Sequence, residues 1–302
     1  MQRLIAALVV MASTVVGGVV QVDEAAQASG VGPAFVVHKL SDTLYAIGEP
    51  DYYQKNYSYL LVGSEKALMF DAGANQAADI TKVVETITKK PLSVLPSHLH
   101  FDHLGGLHNF SSIYLADLPA IRRFKQSDGL YHVPEAVYLG NFDHMTLKPF
   151  RVERLIKPNE VIDLGGLKVR LLSTPGHTQD EVALLDETHN VLLSGDHLYP
   201  SWLLAGNLAD YTTSVAATLE LINPDTRIYG AHADEDASRV PAMSYADVQQ
   251  IHEKLVAIQA GRATGKSFSD PELIRSSKLF EVQKGISILT DITFTDGRGY
   301  GY

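Results

Sequence analysis

The stretch His98-Leu99-His100-Phe101-Asp102-His103-Leu104-Gly105-Gly106 decides how the rest of the chain is read. Three imidazoles and a carboxylate fall within its first six residues. Just before it, Leu92-Ser93-Val94-Leu95 reads as a short buried strand that Pro96 and Ser97 end. Away from water, neutral ring nitrogens and a carboxylate each need a partner. A pair of metal ions supplies those partners, and the residue types suit one. On an extended segment His98 and His100 lie two apart and point the same way. Asp102 and His103 come where the chain begins to turn, so they can face a second point. One hexapeptide can thus serve two adjacent metal positions. The Gly105-Gly106 pair is expected to let a helix start close beneath them. The alternative, a histidine-rich surface loop, suits one histidine better than this density of ligand types.

Three later segments carry the same kinds of residue. Thr174-Pro175-Gly176-His177-Thr178 is a P-G-H-T turn, Leu193-Ser194-Gly195-Asp196 is an apolar strand ending in G-D, and Ile228-Tyr229-Gly230-Ala231-His232 is a strand ending in a histidine. Upstream, Ala67-Leu68-Met69-Phe70-Asp71-Ala72-Gly73 is a strand ending in D-x-G. Present together and in this order, these motifs resemble the metallo-β-lactamase superfamily, over roughly residues 35 to 235. The resemblance is specific for fold and metal site and poorly specific for substrate. It implies an α/β fold, an αββα sandwich of two mixed β-sheets flanked by helices. It implies that His98, His100 and His177 hold one metal ion, that Asp102, His103 and His232 hold a second, and that Asp196 bridges them. Asp71 would support the histidine loop. Two divalent ions are the implied cofactors, zinc first, with iron or manganese also fitting these ligands. A hydroxide between such ions forms near neutral pH, because metal binding lowers the pKa of water toward ~7. It would attack an electrophilic carbonyl or phosphorus with no serine or cysteine nucleophile.

Composition narrows the alternatives. A chain of 302 residues is long enough for one large domain or two small ones, and its 45% hydrophobic and 20% charged residues are ordinary for a globular protein. The formal net charge of -10 argues against a nucleic-acid partner, which would want a basic footprint. The absence of cysteine excludes disulfides, thiolate-ligated zinc, a cysteine nucleophile and a lipoprotein anchor. Met1-Gln2-Arg3, the apolar run Leu4 to Val20 and Ala26-Gln27-Ala28 fit a secretory signal peptide cut after Ala28. That places the mature protein in the periplasm or outside the cell, with no stable membrane association. The alternative is an uncleaved anchor, since the run approaches a spanning length. Residues 29–302 then form a single domain.

Within that domain, strands are expected at residues 34–37, 43–47, 58–62 and 67–70, and a helix over Asn75 to Lys89 with Ile80, Val83, Val84 and Ile87 at helical spacing. Residues 119–158 read as an insertion, either a lid at the site mouth or a solvated connection, with a basic patch at Arg122, Arg123 and Lys125. The tyrosines at 52, 53 and 57 carry the same ambiguity. Hairpins around Gly165-Gly166 and around residues 187–189 deliver His177 and Asp196, so the second half repeats the plan of the first. Helices are expected over Tyr211 to Ile222 and Ser244 to Ala260. Residues 261–280 look polar and irregular, Ile286 to Phe294 is a late strand, and Gly297 to Tyr302 is expected to fray. The C-terminal segments could cover the sandwich or support a homodimer.

Tyr199, three residues after Asp196, is placed as in the acyl-homoserine lactonases that the histidine stretch also resembles. There it would contact the substrate and help the leaving oxygen; otherwise it is a packing tyrosine at a strand end. Asp102 and Tyr199 are therefore the candidate catalytic residues, and a small-molecule lactone or ester the expected substrate. β-Lactam hydrolysis and phosphoester or phosphotriester hydrolysis are alternatives; glyoxalase-II-like thioesterases share a bridging Asp, but the C-terminal helices show no basic glutathione-binding pair and an exported protein meets little glutathione. An iron-dependent persulfide dioxygenase is a rival of another class, and the full ligand set argues against it. The remaining histidines, His38, His108, His132, His144, His189, His197 and His252, fit no ligand position, with His197 able to buttress the site from behind Asp196.

Overall fold

The computed structural model describes residues 34–233, 239–271 and 273–300, together with the backbone of residues 19–21. The expected signal peptide lies outside the described residues apart from that last stretch, a short strand β1 (Val19–Gln21). The first sheet runs in chain order: β1, β2 (Val36–Lys39), β3 (Leu44–Gly48), β4 (Tyr57–Val62), β5 (Ala67–Phe70) and β6 (Leu92–Leu95). Its pairs are antiparallel until β5 and β6, which are parallel and joined across helix α1 (Ile80–Ile87). A parallel pair needs such a crossover, whereas a tight turn serves an antiparallel one.

Helix α2 (Phe101–Leu104) follows β6, and β7 (Tyr114–Ala116) pairs in parallel with β8 (Arg154–Ile156) across the intervening segment that holds α3 (Pro119–Arg122) and α4 (Glu135–Tyr138). The second sheet then uses β9 (Val161–Asp163), β10 (Lys168–Ser173), β11 (Val182–Asp186) and β12 (Val191–Leu193) as an antiparallel meander. Next come β13 (Trp202–Leu204) and α5 (Leu208–Leu221), which lead to β14 (Arg227–Tyr229), parallel to β12, with β15 (Ala242–Met243) at the edge. Hairpin, crossover helix and parallel strand thus occur once in each half. Helix α6 (Tyr245–Gln259) precedes β16 (Lys266–Phe268), β17 (Ile274–Gln283) and β18 (Ile286–Phe294), which form a smaller sheet with β13.

Period-2 alternation in β10–β12 explains the layers. Leu171, Leu184 and Leu193, opposite one another in register, share a core with Leu60, Leu68, Met69, Phe70 and Leu95 of the first sheet. Leu172, Ala183, Leu185 and Leu192 point the other way, onto Tyr211 and Val215 of α5 and Val248, Ile251 and Leu255 of α6. The centre of the second sheet is therefore covered on both faces, which is why β11 and β12 read as near-continuous apolar runs.

The structure departs from the sequence expectations in four places. The helix expected over residues 75–89 is only α1, because the Asn75 side chain accepts from the backbone of Ala77 and Ala78, holding a turn, and Asp79 caps the helix by accepting from Thr81 N at 2.9 Å. α2 begins at Phe101, inside the ligand stretch and ahead of the glycine pair. The glycines serve close approach instead: Gly105 N donates to Gly73 O at 2.7 Å, and a Cβ on Gly105 would meet Ala74 O at 2.2 Å. Residues 261–280 are not irregular. They contain β16 and most of the ten-residue β17, whose pairing with β18 shifts register between Ile274 and Ser276, Ser276 and Lys278, and Glu281 and Gln283. Each bulge resets the in–out alternation, which erases the period that would mark a strand. Finally, residues 297–300 do not fray. They turn back along β18, with Phe294 N donating to Arg298 O and Tyr300 N to Ile292 O.

Candidate metal centre

All the ligand-bearing segments leave the carboxyl ends of strands of the two large sheets. His98 to His103 follow β6, His177 follows β10, Asp196 follows β12 and His232 follows β14. The site forms where the two halves meet, and all seven side chains are buried. The structure brings them together in three groups whose ligating atoms lie within 4.8 Å of one another: His98, His100 and His177; His98, His103 and Asp196; Asp102, His103 and His232.

The first trio converges through His98 Nε2, His100 Nδ1 and His177 Nε2, with His100 Nδ1 2.8 Å from His98 and 3.3 Å from His177. On the other side, Asp102 Oδ2 lies 3.3 Å from His103 Nε2 and 3.4 Å from His232 Nε2. Asp196 stands between the two groups. Its Oδ2 is 3.4 Å from His177 Nε2, and its Oδ1 is 3.5 Å from His103 Nε2 and 3.1 Å from His232 Nε2.

The nitrogens that face away from the site are held. His98 Nδ1 and His103 Nδ1 share Ser97 Oγ as hydrogen-bond partner, at 3.0 and 3.3 Å, and lie 3.1 Å from Glu181 Oε2 and Asp71 Oδ2 respectively. His177 Nδ1 bonds Leu204 O at 3.1 Å, and His232 Nδ1 bonds Gln54 O at 2.9 Å. Such partners set the tautomer, so that Nε2 presents its lone pair inward. The carboxylates are braced too. Asn56 Nδ2 donates to Asp102 O and Oδ2, Ser97 N donates to Asp71 Oδ1 at 2.6 Å, and Asp196 N donates to Glu181 Oε1 at 3.1 Å. Asp71 adopts φ 67° at the end of β5, a left-handed turn that Asp tolerates better than most residues and that points its carboxylate under the histidine loop.

Electrostatics divide the site. Burial and the neighbouring His177 push His100 down to about 3, and burial pushes His177 down to about 4. Burial and His103 hold His98 well below the imidazole range. These rings are neutral and keep the lone pairs an ion needs. His103 runs the other way: burial opposes its charge, but Asp102, Asp71 and Asp196 outweigh it and hold it well above the usual imidazole value. Burial also opposes ionisation of Asp102, yet His103 and His232 keep its carboxyl below the usual range. The carboxylates that raise His103, with Asp196 also raising His232 against its burial, call for positive charge at this end of the site. Consistent with that, His103 Nε2 and Asp196 Oδ1 are buried, point into the cluster and make no hydrogen bond. The donor set therefore fits divalent cations, the first trio as an all-nitrogen site and the second as a nitrogen–carboxylate site.

The cluster opens into a cavity of about 710 Å³. His100, Asp102, His177, Asp196 and His232 form its floor, and Leu139, Phe142, Leu204, Leu273, Ile274 and Phe294 make an apolar wall. Of the expected insertion, Leu139, Phe142 and Asp143 reach this cavity, while Tyr131 and Tyr138 are buried in the core and Arg122 pairs with Asp117. Tyr53 lines the mouth, and Tyr52 donates to Asp143 at 2.6 Å, tying the tyrosine loop to the insertion. Tyr199 is buried with its ring 5.1 Å from that of His232, but its hydroxyl donates to the Trp202 carbonyl. His197 bonds Thr218 on α5 at 3.0 Å.

Sequence reasoning missed Glu181, Asn56 and Tyr300. Glu181 had a faint signal, an acid opening the otherwise apolar run Val182 to Leu185. Asn56 and Tyr300 had none, because tertiary contacts alone bring them to the site. The Tyr300 hydroxyl lies 2.8 Å from both ring nitrogens of His177.

Two halves sharing one edge, with five imidazoles and two carboxylates converging there, define a protein built around a metal centre. The sequence matches the profile of the metallo-beta-lactamase superfamily over residues 54–232, more than half of its length, and the chain belongs to that family. The acyl-coenzyme A thioesterase MBLAC2 of Gallus gallus is 28% identical over 185 residues, covering 55% of this chain and 67% of that one. The Homo sapiens MBLAC2 is 25% identical over 212 residues, 62% and 76% of the two chains. Among solved structures, a metallo-beta-lactamase from Pontibacter korlensis superposes with TM-score 0.55 at 16% identity, over 74% of this chain and 99% of that one. The archaeal superfamily protein ST1585 of Sulfolobus tokodaii gives TM-score 0.53 at 21% identity, over 71% and 86%. These last two likenesses concern the fold. Membership of the family, with relatives named as thioesterase and metallo-hydrolase, makes the chain a metal-dependent hydrolase.

Proposed function

We propose that this hydrolase uses two divalent ions, zinc first, to cleave an ester-type carbonyl, a lactone, ester or thioester with an apolar acyl part. One observation carries the reading: the buried donor cluster forms the floor of a cavity whose wall is Leu139, Phe142, Leu204, Leu273, Ile274 and Phe294. An acyl chain laid on that wall leaves its carbonyl over the donors. The cavity also carries Asp143 and Asp270 against Lys55, a balance that favours a neutral group there over a phosphate. The relatives named acyl-coenzyme A thioesterases support a carbonyl substrate over phosphorus.

His98, His100 and His177 would hold one ion and Asp102, His103 and His232 the other, with Asp196 offering one oxygen to each side. Bound there, the ions supply a nucleophilic water at neutral pH and electrophilic stabilisation of the carbonyl oxygen. The chain's own part is positional. Ser97, Leu204 and Gln54 fix the imidazoles, with the Glu181 and Asp71 carboxylates beside them, and the apolar wall excludes water from the acyl side. Residues 1–28 are proposed to direct export and be removed.

The test is metal content of the mature protein together with turnover of p-nitrophenyl hexanoate, a hexanoyl homoserine lactone, a hexanoyl thioester, a cephalosporin and a phosphotriester. Two divalent ions per chain are expected, with one of the three acyl substrates fastest. His100→Ala should lower kcat at least ~100-fold, in line with loss of metal assistance. A single iron with no hydrolysis, or a cephalosporin or phosphotriester as the fastest substrate, would overturn the reading.

A further inference from the structure

Tyr300 lies 68 residues beyond the region that matches the family, in the segment Gly297-Arg298-Gly299-Tyr300, which carries no motif of its own. Its position is nonetheless built. The chain turns back after β18, where Phe294 N donates to Arg298 O at 2.8 Å and Tyr300 N to Ile292 O at 3.0 Å. Arg298 fastens this strap to the opposite rim of the cavity. Its guanidinium donates to Asn141 Oδ1 at 2.7 Å and to Asp296 Oδ2 at 2.6 Å, and lies over the Phe142 ring at 5.5 Å. The Tyr300 ring packs edge-on against Phe294, with centroids 5.4 Å apart. It also rests on Gly206, where a Cβ would come within 3.2 Å of it.

So held, the ring is 5.8 Å from that of His100 and 5.4 Å from that of His177, both in the all-nitrogen trio. The hydroxyl is 2.8 Å from both His177 nitrogens. An oxygen equidistant from the two lies off the line of the Nε2 lone pair, so the hydroxyl stands beside the ligand position and leaves it open. A substrate oxygen seated at the trio from the cavity side comes within reach of this O–H. Tyr199, on the opposite side by His232, directs its hydroxyl to the Trp202 carbonyl instead.

We propose that Tyr300 is a substrate-contacting residue, its hydroxyl donating a hydrogen bond to the carbonyl oxygen of the acyl substrate as charge develops there, and its ring closing the apolar wall beside His177. The assignment rests on the reading of the site as an acyl hydrolase. A hydrogen bond that strengthens as charge develops lowers the barrier more than it tightens the ground state, so its loss falls mainly on kcat. No proton need leave the phenol.

The experiment compares the metal-loaded wild type with Tyr300→Phe, which keeps the ring, and Tyr300→Ala, which removes it. The readouts are metal content, thermal unfolding, kcat and KM for p-nitrophenyl hexanoate, and binding of hexylphosphonate, a tetrahedral anion with an alkyl tail. Binding is followed by the fluorescence of Trp202, the single tryptophan, which lines the cavity. Tyr300→Phe is expected to keep wild-type metal content and melting temperature, lose about tenfold or more in kcat with little change in KM, and bind hexylphosphonate at least about tenfold more weakly. Tyr300→Ala should in addition raise KM. Equal kcat and equal hexylphosphonate affinity in Tyr300→Phe and wild type would overturn the assignment, as would a wild type that does not bind hexylphosphonate. If the wild type turns over no acyl substrate, the proposed function fails by that result, and hexylphosphonate affinity alone decides the role of Tyr300.

Discussion

Glu181 shows how much of the centre depends on side chains that touch no ion. Its carboxylate faces two ligand segments: the Asp196 backbone N donates to Oε1, and the His98 ring lies 3.1 Å from Oε2. Burial pushes its pKa well above the carboxylate range, and the nearby Asp196 adds to that. A glutamine fits the same space but turns an amide N–H₂ toward either the Asp196 N–H or the His98 ring. Glu181→Gln is therefore expected to weaken metal binding about 10- to 100-fold, the usual cost of disturbing a ligand's supporting partner. Competition against a fluorescent zinc chelator measures it; unchanged affinity would mean that Glu181 serves packing alone.

At the scale of elements, the close approach of α2 to the turn after β5 positions four of the seven donors. Gly105 and Gly106 donate to Gly73 O and Ala72 O, so the ligand helix is stitched to the turn that carries Asp71. A Cβ on Gly105 would lie 2.2 Å from Ala74 O, which is backbone and cannot swing aside. Gly105→Ala should thus destabilise the fold by about 3 kcal/mol, the upper end of the usual cost of forced overlap in a packed interior. Gly166, in the hairpin turn with φ 78°, meets nothing within 4 Å, so Gly166→Ala should cost only about 1 kcal/mol of backbone strain. Urea unfolding of the two variants separates them, and equal losses would contradict the stitching role. The same scale explains why the helix spacing of α1 and the β9–β10 hairpin were readable in advance. Each depends on local period, capping and turn chemistry, whereas β17 hides its period behind bulges.

Across the whole molecule, the metal centre joins the two halves: β5 and β6 of one sheet and β10, β12 and β14 of the other contribute their carboxyl ends to one buried cluster. Asp71, Asp102, Glu181 and Asp196 gather there, all with less than a tenth of their surface exposed, and bound cations would offset their mutual repulsion. Removing the ions with dipicolinate should lower the melting temperature by roughly 10 °C, the shift for ions present at ~1,000 times their dissociation constant. Re-addition of zinc should restore it. A melting temperature indifferent to the chelator, with metal shown to be gone, would mean the halves are held by their apolar core alone.

The sequence by itself determined the sandwich and the identity of the clustered donors. His98, His100, Asp102, His103, His177, Asp196 and His232 each sit in a short motif whose strand, turn and residue type are local properties. Local periodicity also marked most of the strands that carry them. Tertiary structure alone decided which carboxylate braces which imidazole, that the Tyr199 hydroxyl is directed to Trp202, and that residues 297–300 return to the site. Those outcomes depend on contacts between residues far apart in the chain, such as Tyr300 with His177 and Arg298 with Asn141. No local period records such a contact, because its strength comes from the packing of the finished fold.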